Sequence, residues 1–272
     1  MDDILRIENL KQHFVSGKGI FKKGYTVKAV DGVSFSIRRG ETLGLVGESG
    51  CGKSTLGRTI LKLYEPTEGN IFFDGKDITH LSPRQMRPLR KEMQIVFQDP
   101  LESLNQRHTV GMILEEPFII HNVGTPSERK QWVLELLKKV DLPATAVNRY
   151  PHEFSGGQRQ RIGIARAIAL KPKLLICDES VSALDVSVQA QILNLLLALQ
   201  QEMKLTVIFI SHDLSVVKHV SDRVAVMYYG KLVEIGTADE IYHAPKADYT
   251  KTLLAAIPIS HPSQRKRPAT PQ

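Results

Sequence analysis

The sequence predicts an α/β fold with a mainly parallel sheet core flanked by helices. Three observations carry this. Short, fully apolar runs such as Leu174-Leu175-Ile176-Cys177 and Thr206-Val207-Ile208-Phe209-Ile210 lack alternation, as strands buried on both faces do. A glycine-rich segment, residues 47–54, joins an apolar strand to a helix start. Helical periodicity recurs between the strand-like runs. At 272 residues the chain can bury one large α/β core or two smaller ones.

In chain order, residues 4–10 and 29–37 show period-two patterning and read as strands. The basic, glycine-containing stretch 16–25 between them reads as a loop. Thr42–Val46 reads as a short buried strand, and residues 54–61 as the start of a helix. Residues 71–76 continue the β character. Helical spacing returns over 126–140, with Trp132, Leu136, Leu137 and Val140, and again over 162–170. It recurs over 188–203, with Ile192, Leu195, Leu196 and Leu199 on one face. Val224-Ala225-Val226-Met227 followed by Gly230 predicts a strand and hairpin. The parallel core therefore comes from two blocks, about 40–100 and 155–215, with a more helical segment between. There is no internal repeat.

The net charge is +7, with basic residues spread along the chain, which describes a solvated surface. The compact basic cluster is Arg265-Lys266-Arg267, set among Pro258, Pro262, Pro268 and Pro271 in a tail, 258–272, expected to be flexible. Cys51 and Cys177 do not suggest a disulfide framework or a metal cluster; they read as small apolar fillers in a cytosolic chain. Met1-Asp2-Asp3 lacks signal-peptide character. No apolar stretch approaches the ~20 residues of a membrane helix, so a membrane role has to come through a partner.

Gly47-Glu48-Ser49-Gly50-Cys51-Gly52-Lys53-Ser54 fits the phosphate-binding pattern G-x-x-x-x-G-K-[ST]. Its glycines let the backbone curl so that successive N–H groups point at phosphate oxygens. Lys53 can reach the β- and γ-phosphates, and the Ser54 hydroxyl can ligate Mg²⁺. Ser54 and Thr55 open a helix whose positive N-terminal end favours anions. Asp178-Glu179 ends a buried strand, where parallel sheets bind ligands. By itself an acid pair there is a turn cap. Beside a phosphate loop, Asp178 can hold Mg²⁺ and Glu179 can polarise a water attacking the γ-phosphate. Ser155-Gly156-Gly157-Gln158-Arg159-Gln160-Arg161 provides a second anion-binding helix entry.

With these segments in this order the chain resembles the ABC-type ATPases over about residues 4–257. Residues 155–161 resemble their signature motif, with Phe154 where leucine is more usual. Gln98, in Val96-Phe97-Gln98-Asp99-Pro100, matches the Q-loop. Ser182-Ala183-Leu184-Asp185 matches the D-loop, and His212, in Ile210-Ser211-His212-Asp213, the switch histidine. More closely, the chain resembles the oligopeptide/dipeptide permease ATPases, a group that also includes nickel, metallophore and glutathione importers. The marks are residues 46–54, Gln98-Asp99-Pro100 with Ser103-Leu104-Asn105, Asp185-Val186-Ser187-Val188-Gln189, and Tyr249-Thr250-Lys251 with Leu253-Leu254. Gln106 stands where the group often has proline. The cysteine-rich C-terminal extension of many members is missing, so no iron–sulfur cluster is expected, and the short tail resembles the second ATPase of a two-ATPase system.

The resemblance implies a P-loop NTPase of ABC type with an antiparallel β subdomain and a helical subdomain, about 107–154, inserted in the core of a domain spanning 1–257. It implies ATP as substrate and Mg²⁺ held by Ser54, Asp178 and Gln98. Glu179 would be the catalytic carboxylate, with His212 and Gln98 at the γ-phosphate. Residues 47–55 would bind the triphosphate. Ser155, Gly156, Gly157, Gln158 and Asp185 would serve the ATP of a partner ATPase, which is expected to be a different chain. An upstream aromatic residue would stack on adenine: Phe14 by position, Tyr25 second. Two membrane permease subunits and an extracytoplasmic solute-binding protein complete the expected complex, at the cytoplasmic face of the inner membrane. The helical segment would dock on the permeases. A non-transport ABC ATPase would normally show two cassettes or a long coiled coil; this chain has one cassette and no sustained heptads. A GTPase or small-molecule kinase would lack the 155–158 signature. Nucleic-acid binding by the basic tail lacks interleaved aromatics.

Overall fold

The computed structural model describes residues 3–16, 25–99, 103–182 and 184–256. Most of the expected 16–25 loop, Pro100 of the Q-loop, Ala183 of the D-loop and the basic tail lie outside them.

Two sheets stack with a helix between them. The smaller is antiparallel, in the order β2-β1-β4-β5: β1 Asp3–Ser16, β2 Tyr25–Arg38, β4 Glu68–Phe73 and β5 Lys76–Asp77. Register shifts interrupt β1 against β2 between Ile7 and Leu10, where Asn9 adopts φ 46. That bulge bends the long ribbon. The larger sheet runs β10-β9-β3-β8-β7-β6. Its members are β3 Thr42–Val46, β6 Met93–Val96, β7 Leu174–Asp178, β8 Thr206–Ile210, β9 Arg223–Tyr228 and β10 Lys231–Thr237. All neighbours pair in parallel except the β9–β10 hairpin, which turns at Tyr229 and Gly230, both at positive φ.

The missing alternation in the strands has a direct cause. Leu174, Ile176, Ile208 and Ile210 face one core, shared with helix α1 (Lys53–Ile60) and with Ile7, Ile37 and Phe73 of the antiparallel sheet. Leu175, Cys177, Val207 and Phe209 face the other core, packed by helices on the opposite side. Both faces are apolar because both are covered. Each such buried Leu or Ile stabilises the fold by about 1.5–3 kcal/mol. Gly57 of α1 sits where a Cβ would come 3.1 Å from Ile210 and 3.3 Å from Ile176, so glycine sets how closely α1 lies on the sheet.

Between β6 and β7 the described residues form helices joined by loops. Helix α2 (Pro83–Met86) precedes β6; after it come α3 (Val110–Ile120), α4 (Pro126–Lys139) and α5 (Gly156–Ile168). Thr125 and Glu128 form a capping box at α4, with Pro126 in its first turn. Further helices among the described residues are α6 (Val186–Met203), α7 (Leu214–Val220), α8 (Ala238–His243) and α9 (Asp248–Ala255).

Two expectations need correction. Helix α5 begins at Gly156, not Ile162: Ser155 is its N-cap and Gln158 closes a capping box, so the signature residues form the first turn. The parallel sheet also extends past residue 215. β9 pairs in parallel with β3, from Leu43 opposite Arg223 to Val46 opposite Val226.

Candidate active site

The phosphate loop is shaped by backbone contacts. Gly47, at φ 150, approaches β9 so closely that a Cβ would lie 2.2 Å from the Met227 carbonyl oxygen. Gly52, at φ 106, caps α1, and a Cβ there would lie 1.9 Å from the Ala29 carbonyl oxygen. No other residue fits either position. The N-terminus of α1 has no side-chain cap and no acid in its first turn, leaving its N–H groups for an anion. Lys53 is folded back, its Nζ donating to the carbonyl oxygens of Gly47 and Glu48, both at 2.8 Å.

The loop borders a cleft of about 700 Å³, within the range of nucleotide-sized sites, lined by residues 49–55 with Phe14, Gln98, Glu179 and Tyr229. A more apolar cavity of about 430 Å³, among Phe118, Trp132, Leu136 and Met203, contains no motif residue.

The ends of three adjacent parallel strands supply the polar groups. Asp178 is the last residue of β7 and only 1% exposed. The Ser54 hydroxyl donates to its Oδ1 at 2.6 Å, and Arg58 lies 3.6 Å from Oδ2. Burial pushes the Asp178 carboxyl above its usual range and Glu179 adds to this, against the pull of Ser54, Arg58 and Lys53. Glu179 follows at φ 47, in the left-handed region, its N–H bonded to the Ile210 carbonyl at 3.0 Å. That turn aims its carboxylate at the loops after the flanking strands. Gln98, after β6, donates to Glu179 Oε2 at 3.1 Å; His212, after β8, places Nδ1 3.4 Å from the same oxygen.

Ser54 and Asp178 thus form a pair of hard oxygen donors. Among the described residues no group of three His, Cys, Asp or Glu side chains could hold a metal unaided. The pair fits Mg²⁺, which takes one or two protein oxygens and completes its shell from phosphates and water.

Phe14 lies at the cleft, edge-on to Tyr64 with ring centroids 5.4 Å apart; Tyr25 is 64% exposed and does not line it. Gln98 is bonded to Glu179 rather than to the Ser54–Asp178 pair. Ser155, Gly156, Gln158 and Asp185 are exposed and line no part of this chain's own cleft, whereas Gly157 is buried under Val188. Cys51 and Cys177 are both free and buried, the Cys177 thiol pushed up to about 12 by burial. Three contributors were not anticipated: Tyr229, Arg58, and Tyr249, whose hydroxyl accepts the Glu48 N–H at 3.2 Å. Only Tyr249 carried a prior signal, as part of the group's C-terminal pattern.

A phosphate loop at the carboxyl edge of a parallel sheet, facing a carboxylate pair, defines a P-loop NTPase. The ABC transporter family model matches residues 30–182, and the chain belongs to that family. It is 56% identical over 261 residues to the oligopeptide transport ATP-binding protein AppF of Bacillus subtilis (strain 168), covering 95% of this chain and 79% of that protein. To the oligopeptide transport ATP-binding protein OppF of Escherichia coli (strain K12) it is 52% identical over 267 residues, covering 97% and 80%. Among solved structures, cbiO1 from Clostridium perfringens, part of the ABC transporter complex cbiONQ, superposes with a TM-score of 0.76 at 31% identity, covering 89% of this chain and 91% of that one. A dimeric, post-hydrolysis structure of the ATP-binding cassette MJ0796 with ADP and Pi gives 0.76 at 28%, covering 86% and 98%. No helix among the described residues is long and apolar enough to cross a membrane.

Proposed function

We propose that this chain is the ATP-hydrolysing, energy-coupling subunit of an importer for oligopeptides or dipeptides. The observation that carries it is the convergence of Gln98 and His212 on one oxygen of Glu179, beside the Ser54–Asp178 pair and the phosphate loop. The relatives' names supply the substrate class.

In this mechanism the N–H groups of residues 49–55 and the dipole of α1 bind the triphosphate. Lys53 leaves the carbonyl oxygens of Gly47 and Glu48 for the phosphate oxygens. Ser54 and Asp178 would hold Mg²⁺, which would supply positive charge to offset that of the triphosphate. Glu179 orients a water for in-line attack on the γ-phosphate and accepts its proton. Gln98 and His212 hold the Glu179 carboxylate in place and sense the γ-phosphate. Phe14 stacks on adenine. Ser155, Gly156, Gly157, Gln158 and Asp185 complete the site of a second ATPase subunit, a different chain, so that bound ATP closes the pair and hydrolysis reopens it. The exposure of Ser155, Gly156, Gln158 and Asp185 outside this chain's own cleft supports that arrangement. Residues 107–154 form a helical subdomain within the 1–257 ATPase domain and dock on two permease subunits at the cytoplasmic face of the membrane. A solute-binding protein outside delivers the solute.

Reconstitution of the whole complex in lipid vesicles tests this. Short peptides with the binding protein should stimulate ATP hydrolysis and enter the vesicles. Stimulation by Ni²⁺ or a metal chelate alone would reassign the solute. Solute efflux, with no stimulation by either, would overturn import.

A further inference from the structure

We infer that Tyr249 is a positioning residue for the phosphate loop, through which the C-terminal helix α9 sets the loop's affinity for the triphosphate. The inference rests on the cleft being the ATP site.

Tyr249 lies 201 residues from Glu48 in sequence, yet its hydroxyl accepts the Glu48 backbone N–H at 3.2 Å. Its ring packs on Tyr228 with centroids 4.1 Å apart, and Tyr228 meets Tyr229 edge-on at 4.5 Å. Tyr229 lines the cleft, and the next residue, Gly230, donates its N–H to the Cys51 carbonyl at 2.9 Å. Tyr249 therefore grips the loop twice: its hydroxyl holds Glu48, and its ring backs the turn that holds Cys51. The helix that carries it is itself fixed, because Glu234 of β10 accepts the N–H groups of Lys246 at 2.8 Å and Ala247 at 3.0 Å, just before α9 begins.

The contact matters because Lys53, which helps secure the loop together with the Gly230–Cys51 bond and the close packing at Gly47 and Gly52, must leave its carbonyl partners to engage phosphate. Without a tether at Glu48 the loop would gain freedom on that exchange, and binding would have to remove it. A purely structural role for Tyr249, anchoring α9 to β9, needs the ring but not the hydroxyl. Tyr249→Phe separates the two.

The experiment uses the full chain for binding and the reconstituted complex for turnover. Tyr249→Phe should keep the wild-type melting curve but bind ATP about three- to tenfold more weakly, the scale of one hydrogen bond. AMP, which engages the loop with one phosphate, should lose less. KM for ATP should rise with kcat little changed. Amide hydrogen exchange in a peptide covering Glu48 should quicken while that of β7 and β8 stays slow. Tyr249→Leu, which also removes the ring, should exceed the Phe variant in every readout. Equal ATP affinity and equal exchange at Glu48 in wild type and Tyr249→Phe would overturn the inference while leaving the ATP site intact. A wild-type chain that binds no ATP would overturn both.

Discussion

The Ser54 hydroxyl and the Asp178 carboxylate are joined by a 2.6 Å hydrogen bond across 124 residues of sequence. The bond ties the first turn of α1 to the end of β7 and keeps both oxygens in one place before any ion arrives. Its cost is a carboxylate held out of water.

That cost has a readable sign. Burial raises the Asp178 pKa above its ordinary 3.8. A carboxyl raised in the folded state favours folding when protonated, and that contribution is lost as pH rises through the raised value. Asp178→Asn keeps an acceptor for Ser54 and removes the charge. It should raise the melting temperature of the nucleotide-free chain at neutral pH, and the gain should shrink as pH falls toward 3.8. The same variant should lose the extra stabilisation that Mg²⁺ adds to ATP over ATP with EDTA. Calorimetry across pH, with and without nucleotide, checks both; a variant less stable than wild type at pH 7 would contradict the first.

Glu179→Gln preserves the hydrogen-bonding outline around Gln98 and His212 but removes the base. ATP binding should persist, turnover in the complete complex should fall by about 10²–10⁴-fold, and an ATP-bound dimer should accumulate. Lys53→Ala should instead weaken binding and turnover together. Near-normal hydrolysis by Glu179→Gln would remove the residue from its role.

Ser155 is exposed outside this chain's cleft, so Ser155→Arg should leave ATP binding at residues 47–55 unchanged and block closure with the partner. Gly157 is different. A Cβ there would come 2.4 Å from Val188 Cγ1, so Gly157→Ala should push α5 from α6 and cost about 1–3 kcal/mol. Adding Val188→Ala should recover most of that stability. Thermal melts of the single and double variants, with ATP titrations, separate a packing defect from a lost contact across the dimer.

Much of this site was legible because the chemistry sits in short contiguous strings. A phosphate loop needs its glycines and lysine at fixed spacing, and β3, β7 and β8 announced themselves by being apolar on both faces. What escaped was set by contacts between distant segments. β9 shares the buried character of those strands and reads, with Gly230, as a strand and hairpin; only pairing with β3 shows it belongs to the parallel sheet. Helix α5 starts six residues early because glycines weaken a helix pattern in sequence, while the Ser155–Gln158 capping box fixes the first turn in the fold. Nothing local ties Tyr249 to Glu48, and the choice between Phe14 and Tyr25 is open in the sequence because the loop between them blurs the alignment.

The structure puts Phe14 at the cleft mouth, 36% exposed and braced edge-on by Tyr64, while Tyr25 is outside it. A ring held this way is ready to stack on a base. Phe14→Ala should weaken ATP binding about tenfold, within the range of base–aromatic stacking, and Phe14→Trp should restore it. Inorganic triphosphate, which has no base, should compete equally well in wild type and Phe14→Ala, because the loop is untouched. Tyr25→Ala should have no effect on either. Tyr229 is the internal control: it also lines the cleft, so if Tyr229→Ala weakens ATP but not triphosphate while Phe14→Ala changes neither, the stacking platform lies on the β9–β10 turn and Phe14 is only packing for Tyr64.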